Sequence, residues 1–202
     1  MPNPPLLSEG CIYHIYNRGN AGDDIFVESR NYAYFLEKYS AAIWPVADTY
    51  AYCLLRNHFH VLIRTLMSEE QQERATDGSS PLWRPQSASR QFGALFGSYV
   101  LGFNKTYART GSLFEHPFRR IAVEGEAHLY RLVVYINRNA QHHGFVADFR
   151  EWRHSSYHAL TSRRATRLQR DVVLDWFGGV EAFVAAHETP PSDDDVAGLV
   201  VE

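Results

Sequence analysis

The chain has 202 residues, 45% hydrophobic and 14% aromatic, enough to bury a core as one domain with appendages; composition excludes a disordered or fibrous protein. Its net charge of −3 argues against a uniformly basic surface, but residues 1–103 carry −2, residues 104–170 carry +7 and residues 171–202 carry −8. Met1-Pro2-Asn3-Pro4-Pro5 lacks the basic start and long apolar stretch of a secretory signal, and no later run approaches a membrane span. A cytoplasmic protein with no membrane partner is expected.

In chain order, Ile12 to Asn17 alternates and is rich in β-formers, and a turn-forming cluster from Arg18 to Asp23 ends it. Ser29 can cap a helix in which Tyr32, Phe35, Leu36, Tyr39 and Ile43 recur at helical spacing, and Pro45 stops it. Thr49 to Leu55 and His58 to Thr65 read as two strands around a short Arg56-Asn57 turn, so the opening is β-α-β-β. Ser68 to Ser89 is polar and reads as an exposed loop. From Ser87, Phe92, Leu95, Phe96, Tyr99, Phe103 and Tyr107 line one face of a second helix running to Gly111. Leu113 to Val123 is an extended segment broken by Pro117, and a third helix runs from about Glu126 to about Asn139. A short aromatic helix around Asp175 to His187 precedes an acidic, Pro-containing end. Cys11 and Cys53 lack ligand spacing and read as small buried hydrophobes within strands.

The residues able to do chemistry gather in two places. Strand side chains alternate between faces, so His58 and His60 project together while Phe59, Val61 and Ile63 fill the other side. Two imidazoles so spaced can grip one divalent cation. Among ten histidines a His-x-His also arises without function, and the case rests on what else reaches it. On the third helix Leu129, Leu132, Val133 and Ile136 form a core face, and Tyr135, Asn139 and His128 share a stripe at its edge, where a side chain reaches across a sheet yet stays open to substrate. The basic, aromatic-interleaved segment 104–170 suits phosphates and unstacked bases; it equally suits an ordinary solvated surface paired with the acidic tail.

These motifs resemble those of the single-tyrosine HUH transposases of insertion sequences, and within them the REP-associated tyrosine transposases. The likeness spans most of the chain: Tyr13-His14-Ile15-Tyr16-Asn17-Arg18-Gly19 is similar to the family's first strand, and Arg56-Asn57-His58-Phe59-His60-Val61-Leu62 to its metal-binding strand. Gly111-Ser112-Leu113-Phe114 with Pro117-Phe118-Arg119-Arg120 resembles the segment before the catalytic helix. Tyr135-Ile136-Asn137-Arg138-Asn139 with Gly144-Phe145-Val146 resembles that helix, and Trp152 with Ser155-Ser156-Tyr157 the downstream signature. Many members have Pro after the helical Asn; Ala140 stands here, which removes a helix stop.

The resemblance implies Tyr135 as the nucleophile, with His58, His60 and Asn139 as ligands of a divalent metal, Mg²⁺ or Mn²⁺. It implies cleavage and rejoining of single-stranded DNA that carries a hairpin or palindromic repeat, through a 5′-phosphotyrosine, by a monomer or homodimer. Arg119, Arg120, Arg131, Arg138, His142, His143, Arg150 and Arg153 are candidate DNA contacts, together with Arg163 and Arg164. The expected fold is α+β: a ferredoxin-like or RRM-like antiparallel sheet with a β-α-β-β-α-β core and helices on one face. The transposase domain would cover 1–160, with 161–202 a C-terminal extension bearing a short helix and acidic tail. A non-catalytic RRM-like binder of single-stranded nucleic acid is the alternative. A two-histidine phosphodiesterase would need His154-Ser155-Ser156 as its second motif.

Overall fold

The computed structural model describes residues 6–75 and 84–189. The acidic end and the middle of the 68–89 segment lie outside the described residues. Strand β1 (Ile12–Arg18), helix α1 (Ser29–Ile43) and the hairpin of β2 (Ala47–Leu54) and β3 (His58–Thr65) open the fold. Helices α2 (Ser68–Ala75) and α3 (Ala88–Thr106) follow, then β4 (Arg119–Ala122) and α4 (Glu126–His142). The strands form one antiparallel sheet in the order β2-β3-β1-β4, the ferredoxin-like arrangement, with α1 and α3 as its crossovers.

Alternation in the strands gives the sheet two apolar faces. Tyr13 and Ile15 of β1 stand beside Phe59, Val61 and Ile63 of β3, and this face receives Tyr32, Phe35 and Tyr39 from α1 and Phe92, Phe96 and Tyr99 from α3. Burial of each ring is worth about 2–3 kcal/mol. The helices approach closely at Gly102, where a Cβ would stand 2.4 Å from the Tyr34 Oη. The opposite face, with Ala51, Cys53 and Leu62, is covered by Leu129, Leu132, Val133 and Ile136 of α4. The expected one-sided helix layer therefore describes α1 and α3, while α4 makes a third layer.

Several boundaries differ from expectation for identifiable reasons. Ser29 is not the α1 cap: Glu28 is, in a reciprocal box with Asn31, whose side-chain oxygen accepts the Glu28 N–H at 2.9 Å. The segment expected as loop from Ser68 contains α2, because the Glu70 carboxylate accepts the Met67 N–H at 2.7 Å and pairs with Arg64. Helix α3 stops at Thr106, short of Gly111, just before Ala108 at φ 50°. Within the 113–123 segment only residues 119–122 pair as a strand. Helix α4 runs on to His142, as Ala at 140 permits. Cys53 is buried in β2, whereas Cys11 is exposed and precedes β1.

The C-terminal part packs onto the same unit. A short helix α5 (Tyr157–Thr161) precedes α6 (Arg170–Phe177) and α7 (Val180–Glu188). The single aromatic helix expected at 175–187 is split by Gly178 and Gly179 at φ 84° and 119°, which only glycine adopts without strain. Val173 and Phe183 join the α4 core. The segment before α5 lies along β2: the Leu54 N–H donates to the His154 carbonyl at 2.9 Å and the Ser156 N–H to the Tyr52 carbonyl at 2.8 Å. Trp152 Nε1–H donates to the Leu54 carbonyl at 2.9 Å, and further along the edge the Gln169 N–H donates to Thr49. Asp48, 6% exposed in its side chain, accepts from Arg64 at 2.7 Å, from Gln169 at 2.5 Å and from Arg74.

Candidate active site

Alternation along β3 turns His58 and His60 onto the sheet face that α4 covers, with ring centroids 5.3 Å apart and planes near perpendicular. Register places Tyr16 of β1 opposite His60, and His14, two residues back, therefore stands on the diagonal. His14 Nε2 and His60 Nδ1 are hydrogen-bonded at 2.9 Å, both rings being buried. His58 Nδ1 lies 2.8 Å from the Asn57 side-chain oxygen, which can only accept. That bond holds the His58 proton on Nδ1 and leaves Nε2 with its lone pair.

Helix α4 brings the second set. The Tyr135 ring is edge-on to His60 at 5.8 Å and lies 5.8 Å from His142. One turn on, the buried Asn139 amide approaches His58 and favours its charged form, but neither amide atom completes a hydrogen bond of ordinary geometry. His143 sits edge-on to His58 at 4.8 Å. A cavity of about 190 Å³ opens beside these groups, lined by Tyr16, Arg18, Asn57, His58, His60, Glu115, Arg119 and His143.

Burial, with His143 second, lowers the His58 pKa to about 4. Burial, followed by the nearby His14, holds His60 well below its ordinary value. Both imidazoles are therefore neutral near pH 7 and offer lone pairs. His60 Nε2 and Asn139 Oδ1 are buried without a hydrogen-bond partner, and orphaned lone pairs of this kind are what a bound cation would satisfy. Among the described residues no three His, Cys, Asp or Glu side chains converge in metal geometry. Two imidazoles and one amide therefore suit a hard cation that keeps waters and phosphate oxygens, rather than a closed structural zinc site.

The structure brings His58, His60, Tyr135 and Asn139 together. It differs in depth: Tyr135, expected at an open rim, is only 2% exposed. Helix α4 packs over β2 and β3, so the 135/139 stripe faces down onto the imidazoles. His128, on the same stripe, is half-buried at the far end of the helix.

The candidate DNA contacts scatter. Arg119 and His143 line the cavity and His142 is exposed beside it. Arg120 lies over the Phe118 ring and donates to Ser89. Arg138 turns inward over Phe149 and donates to the His187 carbonyl. Arg150 pairs with Asp148 and Glu188, while Arg131, Arg153, Arg163 and Arg164 are exposed. His154 stacks on Tyr32 at 3.7 Å, within the α1 side of the fold, so it faces away from the imidazole pair that a two-histidine phosphodiesterase would need it to join.

Sequence reading missed His14, Asn57 and a buried relay behind α4. Ser156 Oγ–H donates to Asn137 Oδ1 at 2.6 Å, Asn137 Nδ2–H to His187 Nε2 at 3.1 Å, and His187 Nδ1–H to the Phe183 carbonyl at 2.7 Å. His14, Asn57, Asn137 and Ser156 all fall inside the family-like motifs, which was their one sequence signal; nothing pointed to His187.

No protein-family model matches the sequence, and no curated protein matches it significantly. In fold, the chain is similar to a solved REP-associated tyrosine transposase bound to a REP hairpin, with TM-score 0.61 and 14% sequence identity. The superposition covers 81% of this chain and 86% of that one. At that identity the likeness establishes the α+β architecture. No helix among the described residues is long and apolar enough to cross a membrane.

Proposed function

We propose that this protein is a single-tyrosine, metal-assisted DNA strand transferase that cleaves and rejoins hairpin-bearing single-stranded DNA, with Tyr135 as nucleophile. The observation that carries the reading is the facing of His58 and His60 by Tyr135 and Asn139 across one sheet-to-helix interface. Shared architecture with a transposase that binds a REP hairpin supports the substrate class.

His58, His60 and Asn139 would hold Mg²⁺ or Mn²⁺, which when bound supplies Lewis-acid polarisation of a non-bridging phosphate oxygen. The chain's own residues do the rest. Tyr135 Oη forms the bond to phosphorus as the bond to the 3′ oxygen breaks, and the proton lost from the phenol is balanced by the one gained at the departing 3′ oxygen. The phosphotyrosine retains the bond energy, so a 3′-hydroxyl on another strand can reverse the step without ATP. Arg119 and Arg18 at the cavity wall offer charge to flanking phosphates. Drawing the proton from the attacking phenol is a task of this site. Helix α4 covers the sheet face that an RRM-like binder would leave open for stacking, which favours the catalytic reading over the binding-only one.

The test is a denaturation-resistant adduct between the protein and a hairpin-bearing oligonucleotide in Mn²⁺ or Mg²⁺, mapped to its tyrosine by mass spectrometry. An adduct on Tyr130 or Tyr157 would remove Tyr135 from the role.

A further inference from the structure

We infer that His14 is a positioning residue that fixes the proton of His60 on Nδ1, so that Nε2 is presented as a lone pair toward a cation. It rests on the proposed use of His60 as a ligand. The two rings meet at 2.9 Å through His14 Nε2 and His60 Nδ1, and one of them must donate. If His14 donates, the His60 proton sits on Nε2, a buried N–H with no acceptor. If His60 donates, its Nε2 is an acceptor, a lone pair that a cation can take. Buried orphaned N–H groups are rare in folded proteins, so the second arrangement is favoured.

Two further observations agree. His58 is held in the same sense, its Nδ1–H donating to the Asn57 oxygen at 2.8 Å, so both ligand rings would present Nε2. His14 is fully buried and stacks on His60 with centroids 5.1 Å apart and planes at 22°, which fixes the plane of that ring as well as its proton. Outer partners of this kind orient ligands and change metal affinity about 10- to 100-fold.

The experiment begins with metal-free protein at pH 7.5, using long-range ¹H–¹⁵N correlation of the histidine rings. His60 should show a protonated Nδ1 and an unprotonated Nε2 in the wild type, and lose that preference in His14→Phe. Mn²⁺ affinity, read by electron paramagnetic resonance, should fall at least about tenfold in His14→Phe. His14→Gln, which keeps an acceptor near the Nε2 position, should recover most of it. A wild-type His60 protonated on Nε2 would overturn the inference, as would a folded His14→Phe that keeps both tautomer and Mn²⁺ affinity. Wild-type protein with the expected tautomer but no Mn²⁺ binding would uphold the role of His14 while sinking the metal reading of the site.

Discussion

Asn137 and His187 meet at 3.1 Å in the interior, tying α4 to α7 two residues from both Tyr135 and Asn139. The His187 ring accepts from Asn137 and donates to Phe183, so it is neutral in the fold, and burial lowers its pKa to about 4. A base whose folded pKa is depressed is protonated more readily when unfolded, so stability is full above about pH 6.5 and falls as pH drops toward 4. The loss attributable to His187 is on the order of 2–3 kcal/mol. His58 and His60 act in the same direction. Urea unfolding between pH 4.5 and 7.5 should therefore show a shallower slope in His187→Gln; an unchanged slope assigns the acid sensitivity to other groups.

Replacing Asn137 by Leu leaves Ser156 Oγ and His187 Nε2 without their buried partner, at a cost of about 2–4 kcal/mol. Thermal unfolding reads this directly. A loss below about 0.5 kcal/mol would mean that the relay contributes nothing to holding α4.

Tyr135→Phe removes one oxygen and keeps the ring against His60. Folding and hairpin binding should survive with a stability change of about 1 kcal/mol or less, while the covalent adduct disappears. Undiminished cleavage by the Phe variant would show that another nucleophile acts.

His58→Ala and His60→Ala, and separately chelation of the cation, should abolish cleavage and leave hairpin affinity within about threefold, because affinity rests on many phosphate and stacking contacts. Gel-shift and cleavage assays on one oligonucleotide separate the two effects. Parallel loss of both would assign the histidines a structural part.

Asp48→Ala strips Arg64 and Arg74 of a carboxylate that is almost wholly enclosed. Arg64 keeps Glu70, but Arg74 is left with backbone carbonyls. A loss of about 3 kcal/mol is expected in chemical denaturation, and a neutral result would show that water reaches these guanidinium groups.

Much of this was legible in the sequence because it depends on period alone. The parity of residues 58–63 separated the imidazoles from Phe59, Val61 and Ile63, and the spacing of Leu129, Leu132, Val133 and Ile136 identified the α4 core face. What escaped depends on pairing between distant segments. His14 meets His60 through β1–β3 register, which no local pattern encodes. Tyr135 is deep because of where α4 lies on the sheet, and α2 forms through Arg64 and Arg74, outside or at the end of its own span. The division into α6 and α7 was visible as Gly178-Gly179, but its meaning required the positive φ angles.

The strip of hydrogen bonds that residues 154–156 and 169 lay along β2 bears on assembly. An exposed edge strand invites a second copy to add its own strand, and here that invitation is withdrawn on one side by the chain itself. The other edge, β4, offers only four residues. A dimer built by joining two sheets through β2 would first have to peel away the segment that carries Trp152 and Ser156, and with Ser156 the anchor of Asn137. Pairing through the β2 edge would thus come at the expense of the contact that anchors α4.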